Sequence, residues 1–115
     1  MDIKRLHVGK RLSEIAIHNG TVYLAGQIAE DTTQDIVGQT REVLGHVDRL
    51  LNEAGSSKAR ILSCQIYIAD MSYFPGMNEV WDAWVVPGQT PARATVQARL
   101  NDPKMKVEIM VVAAI

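Results

Sequence analysis

Residues 107–115, VEIMVVAAI, constrain the fold more than any other stretch, because they are apolar at both odd and even positions and carry one charge, Glu108. A strand that alternates apolar with polar residues can leave one face in water, whereas a strand apolar on both parities needs protein against both faces. The preceding stretch does alternate: Ala92, Ala94, Val96, Ala98 and Leu100 against Arg93, Thr95, Gln97 and Arg99. Asn101, Asp102 and Pro103 close it. The two stretches read as strands joined by a polar turn, antiparallel about Pro103. Desolvating a carboxylate in a doubly covered strand costs roughly several kcal/mol unless it is hydrogen-bonded or lies in a cleft. Spacing alone leaves Glu108 two places, a cleft or the wet end of its strand beside Lys104 and Lys106. Arg93 is equally open between a surface charge and a ligand group.

At 115 residues the chain makes one domain with one core, at a size where a single layer of helices leaves a sheet face bare. Apolar residues make up 47% and charged residues 22%, which argues against disorder. The net charge is −1 and no basic block occurs, against an electrostatic binder of nucleic acid or anionic membrane. No apolar run reaches membrane-spanning length, and MDIKRLHVGKR lacks the apolar centre of a signal peptide, so the cytoplasm is the expected location. Cys64 is the only cysteine, so no internal disulfide forms. Among aliphatic neighbours it reads as a small buried hydrophobe with a raised pKa. His7, His18 and His46 lack metal-ligand spacing, and neither metal nor cofactor is expected.

In chain order, residues 2–8 and 13–18 read as strands, and Asn19-Gly20 is a hairpin turn signal because both positions tolerate positive φ. Its partner strand is Thr21 to Ile28, with Val22, Leu24, Gly26 and Ile28 on one face; Gly26 marks a simple bulge or a close approach to the backbone. A helix follows, capped at Thr32 or Thr33. Its apolar residues from Ile36 to Ala54 span an arc of roughly 140° at 100° per residue, and it ends at Gly55. His46 lies off that arc and reads as solvated. Arg60 to Ala69 returns as a strand, with Leu62, Cys64, Ile66 and Ile68 facing one way and Ile61, Ser63, Gln65 and Tyr67 the other. A second helix, capped near Ser72, has Phe74, Met77, Val80, Trp81, Trp84 and Val85 on its apolar arc and Asn78 at the arc's edge. The order βββαβαββ gives an α+β fold, a mixed sheet with two helices on one face. The other face needs a cover, and self-association supplies it economically.

PARATVQARL (91–100) followed by KVEIMVVAAI (106–115), together with AGQIAED (25–31), resembles the RidA (YjgF) family of small enamine and imine deaminases. The likeness runs from near Ser13 to Ile115, and WDAWVVPGQTPARATVQA is similar to a short branch of that family. The resemblance implies a homotrimer of the chorismate-mutase-like fold, its sheets facing inward and its active sites in clefts between subunits, with no cofactor. It implies that Arg93 binds the carboxylate of a 2-imino or 2-amino-enoic acid and that Glu108 positions a water for attack on C2. Asn78, the backbone of Gly26 and Thr95, where better-known members have cysteine, are the implied further contacts. On the assumed antiparallel register Arg93 and Glu108 stand roughly 16 Å apart along the strands at about 3.3 Å per residue, so they would meet only across an interface.

Three positions depart from the family pattern: Leu12 stands where its tyrosine aligns, Ala25 where a serine precedes the glycine, and Met110 where many members carry an acid. Fewer donors around the substrate's amino end imply a changed substrate range or slower turnover. A second reading is a non-catalytic trimer that binds small carboxylates through Arg93 and has a regulatory or chaperone-like role. A nuclease, proposed for relatives, is disfavoured by the charge balance and the lack of a basic aromatic patch.

Overall fold

The computed structural model describes residues 2–115. The hairpin signal is realised: Asn19 and Gly20 take φ of 51° and 75° and turn β2 (Ser13–His18) into β3 (Thr21–Leu24), with His18 opposite Thr21. β1 (Lys4–Val8) lies antiparallel along β2. The chain continues through β4 (Gln27–Ile28), α1 (Ile36–Glu53), β5 (Ile61–Ile68), α2 (Phe74–Trp84), β6 (Ala92–Gln97) and β7 (Val107–Ala114). The strands form one mixed sheet in the order β1-β2-β3-β7-β5-β6, with β4 also on β7.

β7 is the centre of that sheet. Val107, Ile109, Val111 and Ala113 point under the helices and are buried, while Glu108, Val112 and Ala114 are only partly covered and Met110 is exposed. The second face, which the double apolar pattern says must be covered, is therefore open in a single chain. Tyr23, Met110 and Val96 lie on it, 48%, 44% and 44% exposed. α1 packs over β3, β4 and β7 and against α2. Its inward residues Val43, Leu44, Val47, Leu50 and Leu51 are each at most 1% exposed, and such side chains contribute about 1.5–3 kcal/mol apiece.

The expected hairpin between the last two strands does not form. β5 lies between them, antiparallel to β7 and parallel to β6. A parallel neighbour needs a crossover, and α2 supplies it, carrying the chain from β5 over the sheet to the edge where β6 pairs. β6 is thus an edge strand whose residues are mostly exposed, so its alternation does not mark a face buried within this chain.

Two slips in strand parity were not legible. The expected strand Thr21 to Ile28 is interrupted at Ala25-Gly26, which turns Gln27 and Ala29 inward in place of Ile28. In β5 an irregularity between Ile61 and Ser63 puts Ile61 under the helices and leaves Leu62 53% exposed, the reverse of the expected faces. One extra residue flips every side chain beyond it.

The helix starts also differ from expectation. Asp35, not Thr32 or Thr33, caps α1, its carboxylate accepting the Gly38 N–H at 2.8 Å. Ser72 caps nothing: Asp70 accepts the Ser72 N–H in a 3₁₀ turn over residues 71–73, and α2 begins at Phe74 with Pro75 in its first turn. Gln39, buried and polar, escaped the apolar pattern. Its amide donates to the Lys104 carbonyl at 3.0 Å and accepts the Lys106 N–H at 2.9 Å, pinning the approach to β7 against α1.

Candidate functional site

The candidate residues fall into two groups. Arg93 lies on edge strand β6 in register with Cys64, whose side chain points into the helix-covered face. Arg93 shares that direction and reaches α2, where its Nη1 donates to Asn78 Oδ1 at 2.8 Å. The guanidinium carbon sits 5.1 Å from the centroid of the Trp81 ring and 5.8 Å from that of Phe74. Beneath it, burial pushes the Cys64 thiol from its ordinary 9.0 up to about 12, with the Arg93 charge pulling the other way. The expectation of a small buried hydrophobe with a raised pKa holds. Thr95, two residues along on the same side, has a hydroxyl enclosed by the chain and bonded to nothing. A shallow hollow of about 270 Å³ opens between Arg93 and residues 63–65 of β5.

The second group is built on the interruption at Ala25-Gly26. Glu108 pairs opposite Ile28 on the open face, and a Cβ built on Gly26 would overlap the Glu108 carboxylate, with its Cδ at 3.0 Å. That close approach, not a bulge alone, explains the glycine. The next residue holds the break: the buried Gln27 amide donates to Glu14 Oε2 at 2.8 Å and to the Ala25 carbonyl at 2.9 Å. A cleft of about 450 Å³ runs past Gly26 and Gln27, with Leu12, Glu14, His46 and Arg49 on its walls.

Within one chain the groups stay apart. Arg93 registers with Cys64 and Glu108 with Tyr67 on the intervening strand. They are about 10 Å apart along the strands and about 10 Å across them, with side chains on opposite faces. The inference that they do not grip one small molecule inside a single subunit stands, but the antiparallel register behind it is replaced by this one.

One centre escaped the sequence reading. Glu42 on α1 accepts the Glu30 N–H at 2.6 Å, the Asp31 N–H at 3.4 Å and the Gln34 amide at 2.8 Å, and its Oε2 lies 3.0 Å from His46 Nε2. It ties the loop after β4 to the helix. The Glu30 amide, first among these contacts, holds its carboxyl below the usual range. His46 is therefore not simply solvated; its i,i+4 spacing from Glu42 was the available signal. Among the described residues no group of three or more metal-ligating side chains occurs, and no helix is long and apolar enough to cross a membrane.

The family model described as Endoribonuclease L-PSP matches residues 3–115. A RutC family protein of Haemophilus influenzae is 48% identical over 114 residues, covering 98% of each chain. The RutC family protein YoaB of Escherichia coli K12 is 45% identical over 115 residues, the whole of both chains. Among solved structures, a member of the YjgF protein family from Neisseria meningitidis superposes with a TM-score of 0.97 at 45% identity, covering 99% of this chain and 95% of that one.

Proposed function

We propose, from the premise that this chain belongs to the Endoribonuclease L-PSP family, whose structural relatives are called YjgF or Rid proteins, that it hydrolyses reactive 2-imino and 2-amino-enoic acids to 2-oxo acids and ammonia. The observation that carries this reading is the division of the site. Arg93 and Glu108, the proposed carboxylate anchor and base, sit on opposite faces and different strands, an arrangement completed when the Arg93 edge of one copy meets the Glu108 face of another. The exposed Tyr23, Val96 and Met110 give that face a reason to be covered, and a homotrimer in the cytoplasm is the assembly we assign.

Arg93 presents parallel N–H donors to the substrate carboxylate and so fixes both position and charge. A 2-amino-enoic acid first takes a proton from solvent at C3 to become the protonated imine, and Glu108 then accepts a proton from water as its oxygen attacks the electrophilic C2. The proton passes to the nitrogen of the resulting carbinolamine, the C–N bond breaks as the carbinol hydroxyl gives its proton to Glu108, and the 2-oxo acid and ammonia leave, ammonia carrying that proton away as ammonium. Water is the only co-reactant and no electron leaves or enters. Asn78 holds Arg93, the Gly26 backbone leaves room at Glu108, and Thr95 lies beneath Arg93 with its hydroxyl enclosed and unpaired. Leu12 on the cleft wall, where a phenol would stand, fits a site tolerant of less polar substrates.

The test is a coupled assay in which a threonine or serine dehydratase generates 2-iminobutanoate or 2-aminoacrylate and 2-oxo acid release is followed with and without this protein. Faster release by the native chain, lost in a folded Arg93→Ala protein of unchanged assembly, is the expected result. No acceleration with imines of several sizes overturns the reading in favour of a carboxylate-binding trimer, a reading supported by the fact that only the binding half, Arg93 with Asn78, is hydrogen-bonded together in one chain. The ribonuclease in the family's description finds little support here: the net charge is −1 and no basic block occurs in the sequence.

A further inference from the structure

We infer that Trp81 and Phe74 are positioning residues for Arg93, an aromatic shelf that restrains the guanidinium before a carboxylate arrives, and that the Trp81 indole reports when it does. This rests on Arg93 being the carboxylate anchor, and not on the chemistry that follows. Arg93 is exposed on an edge strand, where a long side chain ordinarily samples many rotamers. Here it is restrained from two sides. Its guanidinium lies within cation–π reach of both rings, and Asn78 takes one N–H, leaving four of the five donors free. Asn78 and Trp81 stand three residues apart on α2, so one helix face supplies both restraints.

The shelf is itself fixed. Trp81 is 6% exposed and packs on Trp84 with ring centroids 5.6 Å apart at 46°. Trp84 donates its Nε1–H to Asp48 on α1 at 2.9 Å and carries Lys58 Nζ 5.4 Å from its own centroid. Two indoles thus run from the α1 side to Arg93 as a tilted pair with a cation at each end. A ring held this rigidly reduces the freedom Arg93 must give up when it binds, which raises affinity without adding a contact to the ligand. Because the chain has only two tryptophans, the pair is also optically addressable.

The probe is 2-oxobutanoate, titrated into the whole assembled protein while tryptophan emission and the KM and kcat of the coupled assay are followed. In Trp84→Phe the remaining Trp81 is expected to change emission on binding, and in Trp81→Phe the change is lost while affinity holds, since phenylalanine keeps a π face. Trp81→Leu keeps apolar volume without one, and its Kd and KM are expected to rise about fivefold to tenfold with kcat unchanged. Half-buried Phe74→Leu is expected to give a smaller rise in the same direction and carries the test if Trp81→Leu does not fold. Unchanged affinity in the folded leucine variants, equal loss in Trp81→Phe and Trp81→Leu, or a native protein without Arg93-dependent carboxylate binding overturns the inference. A native protein that binds through Trp81 yet turns nothing over leaves the shelf standing and removes the deaminase; turnover with a KM indifferent to Trp81 does the opposite.

Discussion

The Arg93 and Glu108 halves of the proposed site reach order by different means. Arg93 is assembled from redundancy: two rings and an amide oxygen, all on one helix, restrain a side chain that starts from an exposed edge strand. Glu108 is assembled from an omission. No Cβ stands at residue 26, so its carboxylate fits against the backbone where a strand has been broken to admit it. The first kind of order is shared among several partners, while the second depends on a single missing methyl group. The contrast suits the proposed roles, because an anchor needs orientation and a base needs placement within hydrogen-bond reach of one water.

The largest effect that separates the halves is expected from Glu108→Gln, which keeps shape and removes the base: turnover of imine falls by about 10²–10⁴-fold while 2-oxobutanoate binding is retained. Equal loss of both in a titration run beside the assay would dissolve the distinction. Arg93→Ala acts on the other half, raising KM by about 10–100-fold as a charge-assisted pair is lost. Steady-state kinetics on the folded variant reads this directly, and a fall in kcat alone would contradict an anchoring role. Gly26→Ala tests the omission: its added Cβ displaces the Glu108 carboxylate, and kcat is expected to fall by about 10–10²-fold. Gly26 does not need positive φ, so thermal melting should move little, which separates displacement of the base from general unfolding.

The smallest effect concerns the floor under Arg93. The Cys64 thiol, raised to about 12, stays neutral in the folded chain, so iodoacetamide at pH 8 should label it only on unfolding. The folded state holds this proton more tightly than the unfolded chain does. Its contribution to stability is therefore complete below about pH 9 and is lost as pH rises toward about 12, a decline readable as a falling denaturation midpoint.

How much of this was legible follows from how local each signal is. Asn19-Gly20 announced its hairpin because φ at two adjacent residues is a property of those residues. The apolar arcs of α1 and α2 announced their inward faces, and Cys64 its burial, for the same reason. Ile61 and Leu62 exchanged faces, and Ile28 gave way to Gln27, because a single inserted residue leaves no mark in composition yet reverses the parity beyond it. Glu42 was hidden by distance of another kind, since its partners Glu30 and Asp31 offer backbone amides that no residue type reveals. The C-terminal motifs marked Arg93 and Glu108 through resemblance, whereas Trp81 read as one residue of the apolar arc of α2.

By itself the sequence determined the order of most helices and strands, the α+β class and the family, and the double apolar pattern of residues 107–115 set the expectation that a sheet face needs a cover beyond two helices. Only the tertiary structure decided that β5 separates β6 from β7, and hence that Arg93 lies toward α2 while Glu108 looks out from the opposite face. The reason is physical: propensity and periodicity act over a few residues, whereas strand order is set by where a crossover helix finds apolar surface to pack on, a choice made by the whole core at once.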